Sequence, residues 1–390
     1  MIPTSQMWKP ALWMAVAFCA RPALGDQGVA YALITDGSLA TVSAEYSFNP
    51  GGGAITAART GTGQYSVTFP NAGIGGTWNA QAAAYGPGSN YCNIGGWGEN
   101  KTSVECYNPG GAAADSPFTV LAISSANDRN IAFAWANNPK SASYTPNGGI
   151  SYNPGGAITV TRSATGTYTV AFAGLNGTGG DVQVNALGSN ASCYSAGWTT
   201  NFTASVDCAD PTGAPVDSQF VVYAIPSDAT PPAFAYSLAD QDASATYTPN
   251  TEFTYSTTGN PVKITRSSPG QYVVTFAGMD LAQVRGGSVR ATSYLSTARC
   301  NVQSWTGSAA AFEVAVGCFS ISGAPMDAEY EVLALRPMGY AYADIDTNDG
   351  QVAAAYSLNP GGAAITATRI SPGFYRVFFP HSGIGPGANA

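Results

Sequence analysis

The sequence predicts an all-β protein made of tandem antiparallel β-sandwich modules, immunoglobulin-like or jelly-roll-like, with one disulfide in each complete module. Three observations predict this fold class. One long motif occurs three times, apolar and polar residues alternate along short segments, and Gly, Pro and Asn separate those segments. Charged residues are only 10% of the chain and aromatic residues are 11%. That composition is typical of packed β-rich units rather than of disorder.

The recurring motif consists of Cys-x4-Trp, a second Cys, and Gly-Ala-x-x-Asp. The spacing from the second cysteine to the aspartate is the same in every complete copy. A pattern of this length that recurs identifies a tandem array. Its positions are Cys92, Trp97, Cys106 and Asp115, then Cys193, Trp198, Cys208 and Asp217, then Cys300, Trp305, Cys318 and Asp327.

Each complete module contains about eight short segments with strand character. In the clearest of them, Tyr65, Val67 and Phe69 alternate with polar residues, so one face should pack a core while the other meets water. The same alternation recurs from Tyr168 and from Tyr272.

The motif copies place module boundaries in the short stretches between them. We assign residues 26–125, 126–227 and 228–336 to three complete modules, and residues 337–390 to a fourth, truncated one. The stiff Pro231-Pro232 pair in one linker favours a semi-rigid rod. The fourth copy ends before its cysteines, which we interpret as a fragment of a longer protein rather than a sandwich completed by another chain.

The first 25 residues have the features of a signal peptide. Lys9 precedes an apolar run, and Ala23-Leu24-Gly25 supplies the small residues of a cleavage site. No later segment is long and apolar enough for a transmembrane helix. We therefore expect a secreted, periplasmic or cell-surface protein.

The net charge of −8 argues against a nucleic-acid partner, which would require a basic surface. Cys19 lies in the signal segment, which leaves two cysteines in each complete module. An even count in an exported chain predicts disulfides. We pair Cys92 with Cys106, Cys193 with Cys208, and Cys300 with Cys318.

The assembled module, with its Tyr-x-Val-x-Phe strand followed by the cysteine and tryptophan motif, resembles a repeat of exported bacterial proteins of uncharacterised function. The resemblance covers three full modules and half of a fourth. It implies secretion and tandem β-modules, and it brings no assigned catalytic or binding residues.

The tryptophans have two interpretations. Residues five apart on an unbroken strand face opposite ways. If the first cysteine of each motif points into the core, Trp97, Trp198 and Trp305 would therefore point outward as aromatic ligand contacts. A β-bulge would reverse this and pack each ring on the core. Gly95-Gly96 and Gly197 could host one, whereas Gln303-Ser304 is a poorer site.

The recurring aspartates Asp115, Asp217 and Asp327 are predicted to accept backbone N–H groups in Asx-type turns, with calcium binding as the alternative. Arginines recur at Arg59, Arg162, Arg266 and Arg369, where an acid or a carbonyl is the expected partner. The segment from Asp344 to Gly350 has part of a calcium-loop pattern, but a polar turn is the better interpretation because the twelfth position is Ala355.

No catalytic constellation recurs with the modules. The only histidine is His381, and Ser116 and Ser218 are replaced by Ala328 in the third copy. We therefore predict no cofactor, no metal and no catalysis. The predicted function is structural or adhesive binding, with a polysaccharide or a cell-surface protein as partner. The alternatives are a non-catalytic arm of a longer secreted enzyme and a passive spacer rod.

Overall fold

We describe the protein from a computed structural model. It describes residues 28–49, 53–70, 77–125, 130–177, 179–227, 234–279, 287–308 and 310–335, and residues 352, 365–371 and 374–378 of the last copy. The predicted signal segment and the Asp344–Gly350 segment lie outside these residues. The regular elements of the described part are all strands apart from one 3-10 turn, as predicted for an all-β protein, and this part holds no helix long and apolar enough to cross a membrane.

The first module is a sandwich of two antiparallel sheets. Its inner sheet has the order β2-β1-β8-β5 and its outer sheet the order β3-β4-β7-β6. The strands are β1 (Val29–Asp36), β2 (Thr41–Val42), β3 (Thr56–Gly61), β4 (Gln64–Thr68), β5 (Trp78–Ala84), β6 (Tyr91–Gly98), β7 (Lys101–Tyr107) and β8 (Phe118–Ser124).

The second module repeats this plan with a three-stranded inner sheet, β9-β16-β13, and a five-stranded outer sheet, β10-β11-β12-β15-β14. The strands are β9 (Ala132–Ala136), β10 (Ser143–Tyr144), β11 (Ile158–Ala164), β12 (Thr167–Phe172), β13 (Gly180–Ala186), β14 (Ser192–Trp198), β15 (Thr203–Ala209) and β16 (Phe220–Pro226).

The third module has the inner sheet β19-β17-β25-β22 and the outer sheet β18-β20-β21-β24-β23. One 3-10 turn (Thr251–Phe253) precedes β19. The strands are β17 (Phe234–Ala239), β18 (Thr246–Tyr247), β19 (Thr254–Ser256), β20 (Val262–Ser268), β21 (Gln271–Ala277), β22 (Ser288–Ser293), β23 (Arg299–Gly307), β24 (Ala311–Phe319) and β25 (Tyr330–Leu335).

The last copy contributes a hairpin of β26 (Thr366–Ser371) and β27 (Phe374–Phe378). Arg369 pairs with Tyr375 there, and a bulge follows the arginine. The same pairing and bulge occur at Arg59 and Tyr65 in the first module. The last hairpin therefore reproduces the β3–β4 element.

Inner and outer sheets differ in how they are buried. The outer strand β4 alternates between buried and more exposed residues, as its period-two pattern predicts. Every residue of the inner strands β5 and β8 is buried, including Asn79 and Gln81, whose side chains point away from their own module's core. A second surface therefore covers the inner sheets.

That second surface is supplied by the other modules, which close into a ring. Three equivalent parallel bridges join Ile94 to Leu187, Ser195 to Tyr294, and Val302 to Tyr85. Each carries a backbone hydrogen bond of 2.8–3.0 Å, donated by Gly188, Leu295 and Gly86 respectively. The first module thus contacts the second, the second the third, and the third the first, in a pseudo-threefold arrangement.

An apolar plug fills one end of the ring, where the three inner sheets meet. Each module supplies corresponding side chains: Tyr31, Leu121 and Ile123 from the first, Phe133, Tyr223 and Ile225 from the second, and Tyr236, Leu333 and Leu335 from the third. Burying a large apolar side chain contributes about 1.5–3 kcal/mol. Such a shared core outweighs the preference of a stiff linker for extension, so the semi-rigid rod expected from Pro231-Pro232 is wrong.

Candidate functional site

All three predicted disulfides are formed: Cys92–Cys106, Cys193–Cys208 and Cys300–Cys318. Each joins directly opposed residues on neighbouring strands of one outer sheet, with 4.0 Å between the Cα atoms. This differs from the inter-sheet bridge of immunoglobulin domains. Closing loops with sequence separations of 14, 15 and 18 residues contributes about 3 kcal/mol each. Three such bridges indicate an oxidising environment.

A bulge lies between each first cysteine and its tryptophan. The strand register shifts between Ile94 and Gly96, and likewise between Ser195 and Gly197. The third module has the same shift at Gln303, the position that its sequence marks as a poorer site. The extra residue returns each tryptophan to the face of its cysteine.

Each tryptophan packs across a module boundary. Trp97 contacts Trp135 of the second module with 5.9 Å between ring centroids, and its Nε1 donates to the Trp78 carbonyl at 2.8 Å. Trp198 contacts Phe253 and Tyr294 of the third module, at 5.5 and 5.8 Å.

Trp305 contacts Tyr46 and Tyr85 of the first module, at 5.5 and 5.3 Å, and is only 7% exposed. Its ring is therefore not a surface platform. Trp97 and Trp198 are half-buried, and ligand contact by these two remains a prediction.

The recurring aspartate organises one cluster in each module, which we call the Arg–Asp cluster. Its carboxylate accepts hydrogen bonds from an arginine, a backbone N–H of glycine and a tyrosine O–H, and the arginine N to carboxylate O distances are 2.7–3.0 Å. The sets are Asp115 with Arg59, Gly63 and Tyr65; Asp217 with Arg162, Gly166 and Tyr168; and Asp327 with Arg266, Gly270 and Tyr272.

These contacts correct the Asx-turn prediction. The N–H that Asp115 accepts belongs to Gly63, in the distant β3–β4 turn, and not to a residue that follows the aspartate. The expected acid partner of Arg59 is this same aspartate. Among the described residues, no three His, Cys, Asp or Glu side chains come together as metal ligands would.

A glycine is required in the turn of each Arg–Asp cluster. Gly166 has φ +72°, and a Cβ there would lie 2.5 Å from the Cys208 carbonyl oxygen. The backbones of Gly166 and Cys208 lie this close because they are hydrogen-bonded: Cys208 N donates to the Gly166 carbonyl at 2.8 Å. The cluster therefore ties the β11–β12 turn to the second cysteine and to the recurring aspartate.

The electrostatic effect of the cluster is largest in the second and third modules. Hydrogen bonding to Arg162 lowers the pKa of Asp217 from 3.8 to about 2, and Arg266 does the same for Asp327. Arg59 also lowers the pKa of Asp115. These carboxylates stay ionised well below neutral pH.

The sequence signal for this cluster is Arg-x3-Gly-x-Tyr. It begins at Arg59, Arg162, Arg266 and Arg369, and so also occurs in the last copy. The recurring arginine and the strand that begins at the tyrosine can each be recognised in the sequence. Their constant spacing indicates that the same turn joins them in every copy.

Sequence patterns did not indicate the polar centre of the ring. Strands β5, β13 and β22 face one another there and exchange hydrogen bonds across modules. Gln81 Nε2 donates to the Gln183 carbonyl at 2.9 Å, and Thr292 Oγ1 donates to Gln183 Oε1 at 2.8 Å. Arg290 Nη2 donates to the Ala82 carbonyl at 3.1 Å.

A cleft lies on this axis, with about 420 Å³ of empty space that includes its open mouth. All three modules line it. Its polar lining includes Asn93, Asn185, Arg290, Thr292, Arg299 and Asn301. Because these strands are distant in sequence, only closure of the ring brings the side chains together. We call this space the axial cleft.

Two buried acids lie in the same central layer. Burial raises the pKa of Asp181 to about 7, although Gln183 and Arg290 act in the opposite direction. Burial also raises the pKa of Glu331, and the neighbouring Asp181 adds to this effect. The centre of the ring therefore favours the neutral form of both carboxyl groups.

Comparison with known proteins places the chain in no established family: no family model, no curated protein and no solved structure matches it.

Proposed function

We propose that this chain is an exported, non-catalytic protein that acts by structure and binding, with a polysaccharide or a cell-surface protein as its partner. The signal-like segment at residues 1–25 and the three disulfides support export to an oxidising compartment.

One observation carries the proposal: the residues that recur with the modules are engaged in holding each module, or the ring of modules, together. The cystines join strands of one sheet, and the tryptophans pack against the next module. The Arg–Asp clusters bind a turn to a strand. A ring reinforced in this way suits a rigid platform whose loops meet a partner, because binding by a pre-organised surface loses less conformational entropy.

Trp97 and Trp198 are the aromatic candidates on this platform, since both rings remain partly accessible. The test is binding of the purified, oxidised chain to a glycan array and to intact cells. Trp97→Phe and Trp198→Phe should keep the cross-module packing, whereas Trp97→Ala and Trp198→Ala remove the ring.

Because both rings also pack across a module boundary, the alanine variants should melt at a lower temperature, so binding is measured well below the melting temperature of every variant. We expect binding to be lost in the folded alanine variants and kept in the phenylalanine variants. Binding kept by the folded alanine variants would assign these rings a purely structural role. Absence of binding to any glycan or cell surface would refute the proposal.

A further inference from the structure

The axial cleft presents unpartnered hydrogen-bond donors. Arg290 and Arg299 are only 2% and 3% exposed. Nε and Nη1 of Arg290 have no hydrogen-bond partner, nor do Nε and Nη2 of Arg299. Leaving a buried charged donor unpaired is costly, so such groups are normally matched by an acceptor.

The other polar side chains of the cleft are already engaged with the protein. Asn185 Nδ2 donates to the Cys92 carbonyl, and its Oδ1 accepts from Ala82 N. Asn93 donates to two carbonyls of the second module, and Asn301 donates to the Asn90 carbonyl. Among the buried side-chain polar atoms of the described lining, those without a partner are all guanidinium nitrogens.

Both arginines are departures from the repeat. By the alignment of the inter-module bridges, Arg290 stands where the other modules have Gln81 and Gln183. Arg299 directly precedes Cys300, where the other modules have Tyr91 and Ser192. The third module alone places cations in the axial cleft, in a chain that has only 15 basic residues.

No carboxylate is hydrogen-bonded to either cation in the described part of the chain. No ion pair joins Asp181 or Glu331 to Arg290 in the described part of the chain, and burial holds both acids toward their neutral forms. Burial lowers the pKa of Arg290 only to about 10, so its guanidinium is charged at neutral pH. Arg299 lies over the Tyr91 ring at 4.0 Å and donates to the Pro109 carbonyl, which leaves its other two nitrogens unmatched.

We propose that the axial cleft binds a small oxyanion, held by the unpartnered guanidinium nitrogens of Arg290 and Arg299. Guanidinium groups pair with carboxylate, sulfate and phosphate oxygens through strong charge-assisted hydrogen bonds. The oxyanion is either a free inorganic anion or the carboxylate of an acidic sugar. Because three modules build the cleft, the bound anion stabilises the closed ring.

The test measures thermal unfolding of the full chain in sodium sulfate, sodium glucuronate and sodium chloride at equal ionic strength. Isothermal titration calorimetry then gives the affinity of the chain for sulfate and for glucuronate. Arg290→Gln restores the residue of the other two modules, and Arg299→Ser restores that of the second. Lys263→Gln, on the outward face of β20, is the matched charge control.

We expect sulfate to raise the melting temperature above that in chloride, and by more in the wild-type chain than in the two arginine variants, because sulfate also stabilises folded proteins without a binding site. Affinity should fall at least about tenfold in Arg290→Gln and Arg299→Ser and stay unchanged in Lys263→Gln. A response to sulfate alone identifies an inorganic anion, and an equal response to glucuronate identifies an acidic sugar.

No response to either salt in the wild-type chain overturns the inference, as does an equal response in the two arginine variants. Saturable binding in the titration of the wild-type chain gives a decision by itself, so the test does not depend on the variants folding. It is also independent of partner binding on arrays or cells, so this inference and the proposed function can fail separately. Crystals soaked in selenate add a direct readout: anomalous density in the cleft supports the site, and its absence opposes it.

Discussion

The Arg–Asp cluster of the second module allows a quantitative prediction for Asp217→Asn, which keeps the shape of the side chain and removes its charge. The carboxylate accepts from Arg162 at 2.8 and 2.9 Å, from Gly166 N at 2.9 Å and from Tyr168 Oη at 3.0 Å. A pKa lowered from 3.8 to about 2 corresponds to roughly 2.4 kcal/mol of stability at neutral pH.

Solvent reaches part of this ion pair, since the side chains of Arg162 and Asp217 are 26% and 13% exposed. Screening therefore reduces the expected loss to about 1–2 kcal/mol. The sign also fixes a pH dependence. The folded pKa is depressed, so the contribution is fully present above pH ~4 and disappears as the pH falls toward 2.

The assay is urea denaturation of the wild-type and Asp217→Asn chains at pH 7 and near pH 2.5. The midpoints should differ at pH 7 and converge in acid. Asp115→Asn is the matched control. Its pair is more exposed, at 35% and 29%, so the loss should be smaller. An unchanged midpoint for Asp217→Asn at pH 7, or an equal difference at both pH values, would refute the reasoning.

Three further predictions concern the ring. Trp305→Ala should destabilise the chain by about 3–5 kcal/mol, because it removes a buried contact with Tyr46 and Tyr85. Trp305→Phe should retain most of the wild-type stability. Urea midpoints and limited proteolysis measure both variants. Asp181→Asn should stabilise the chain above pH 7, because burial raises the folded pKa of Asp181 and stability therefore falls as the pH rises from about 4 to 7. Melting curves from pH 4 to 8 should be flatter in this variant, and parallel curves would contradict the expectation. Leu295→Gly should stabilise the chain by about 0.5–1 kcal/mol, because Leu295 has φ +51° and the corresponding bridge residues of the other modules are Gly86 and Gly188. A lower melting temperature would show that the exposed leucine makes a compensating contact.

The elements that could be predicted from the sequence are those encoded over short distances. The alternation from Tyr65 predicts a half-buried strand, and the two cysteines of each complete module predict the pairing of Cys92 with Cys106. The bulge before Trp97 could be anticipated from Gly95-Gly96. The bulge at Gln303 could not, because its position follows from the repeated register and not from local composition.

Closure of the ring could not be predicted because its signal is non-local. Asn79 and Gln81 alternate with alanines along β5, a pattern that normally marks a solvent-facing side. Their actual neighbours come from strands of the other modules, so tertiary context overrides the local pattern. Arg290 and Arg299 likewise belong to one cleft only because three distant strands meet.

The bridge between Val302 and Tyr85 has a consequence for biogenesis. The chain is synthesised from its amino terminus, so the surface of the first module that contacts the third stays exposed until the third module has been made. Contacts this far apart in sequence form slowly, and uncovered flanks are prone to misassembly in the meantime. Deleting any one module would leave two mating surfaces without their counterparts, so this protein should be dissected by point substitution rather than by truncation.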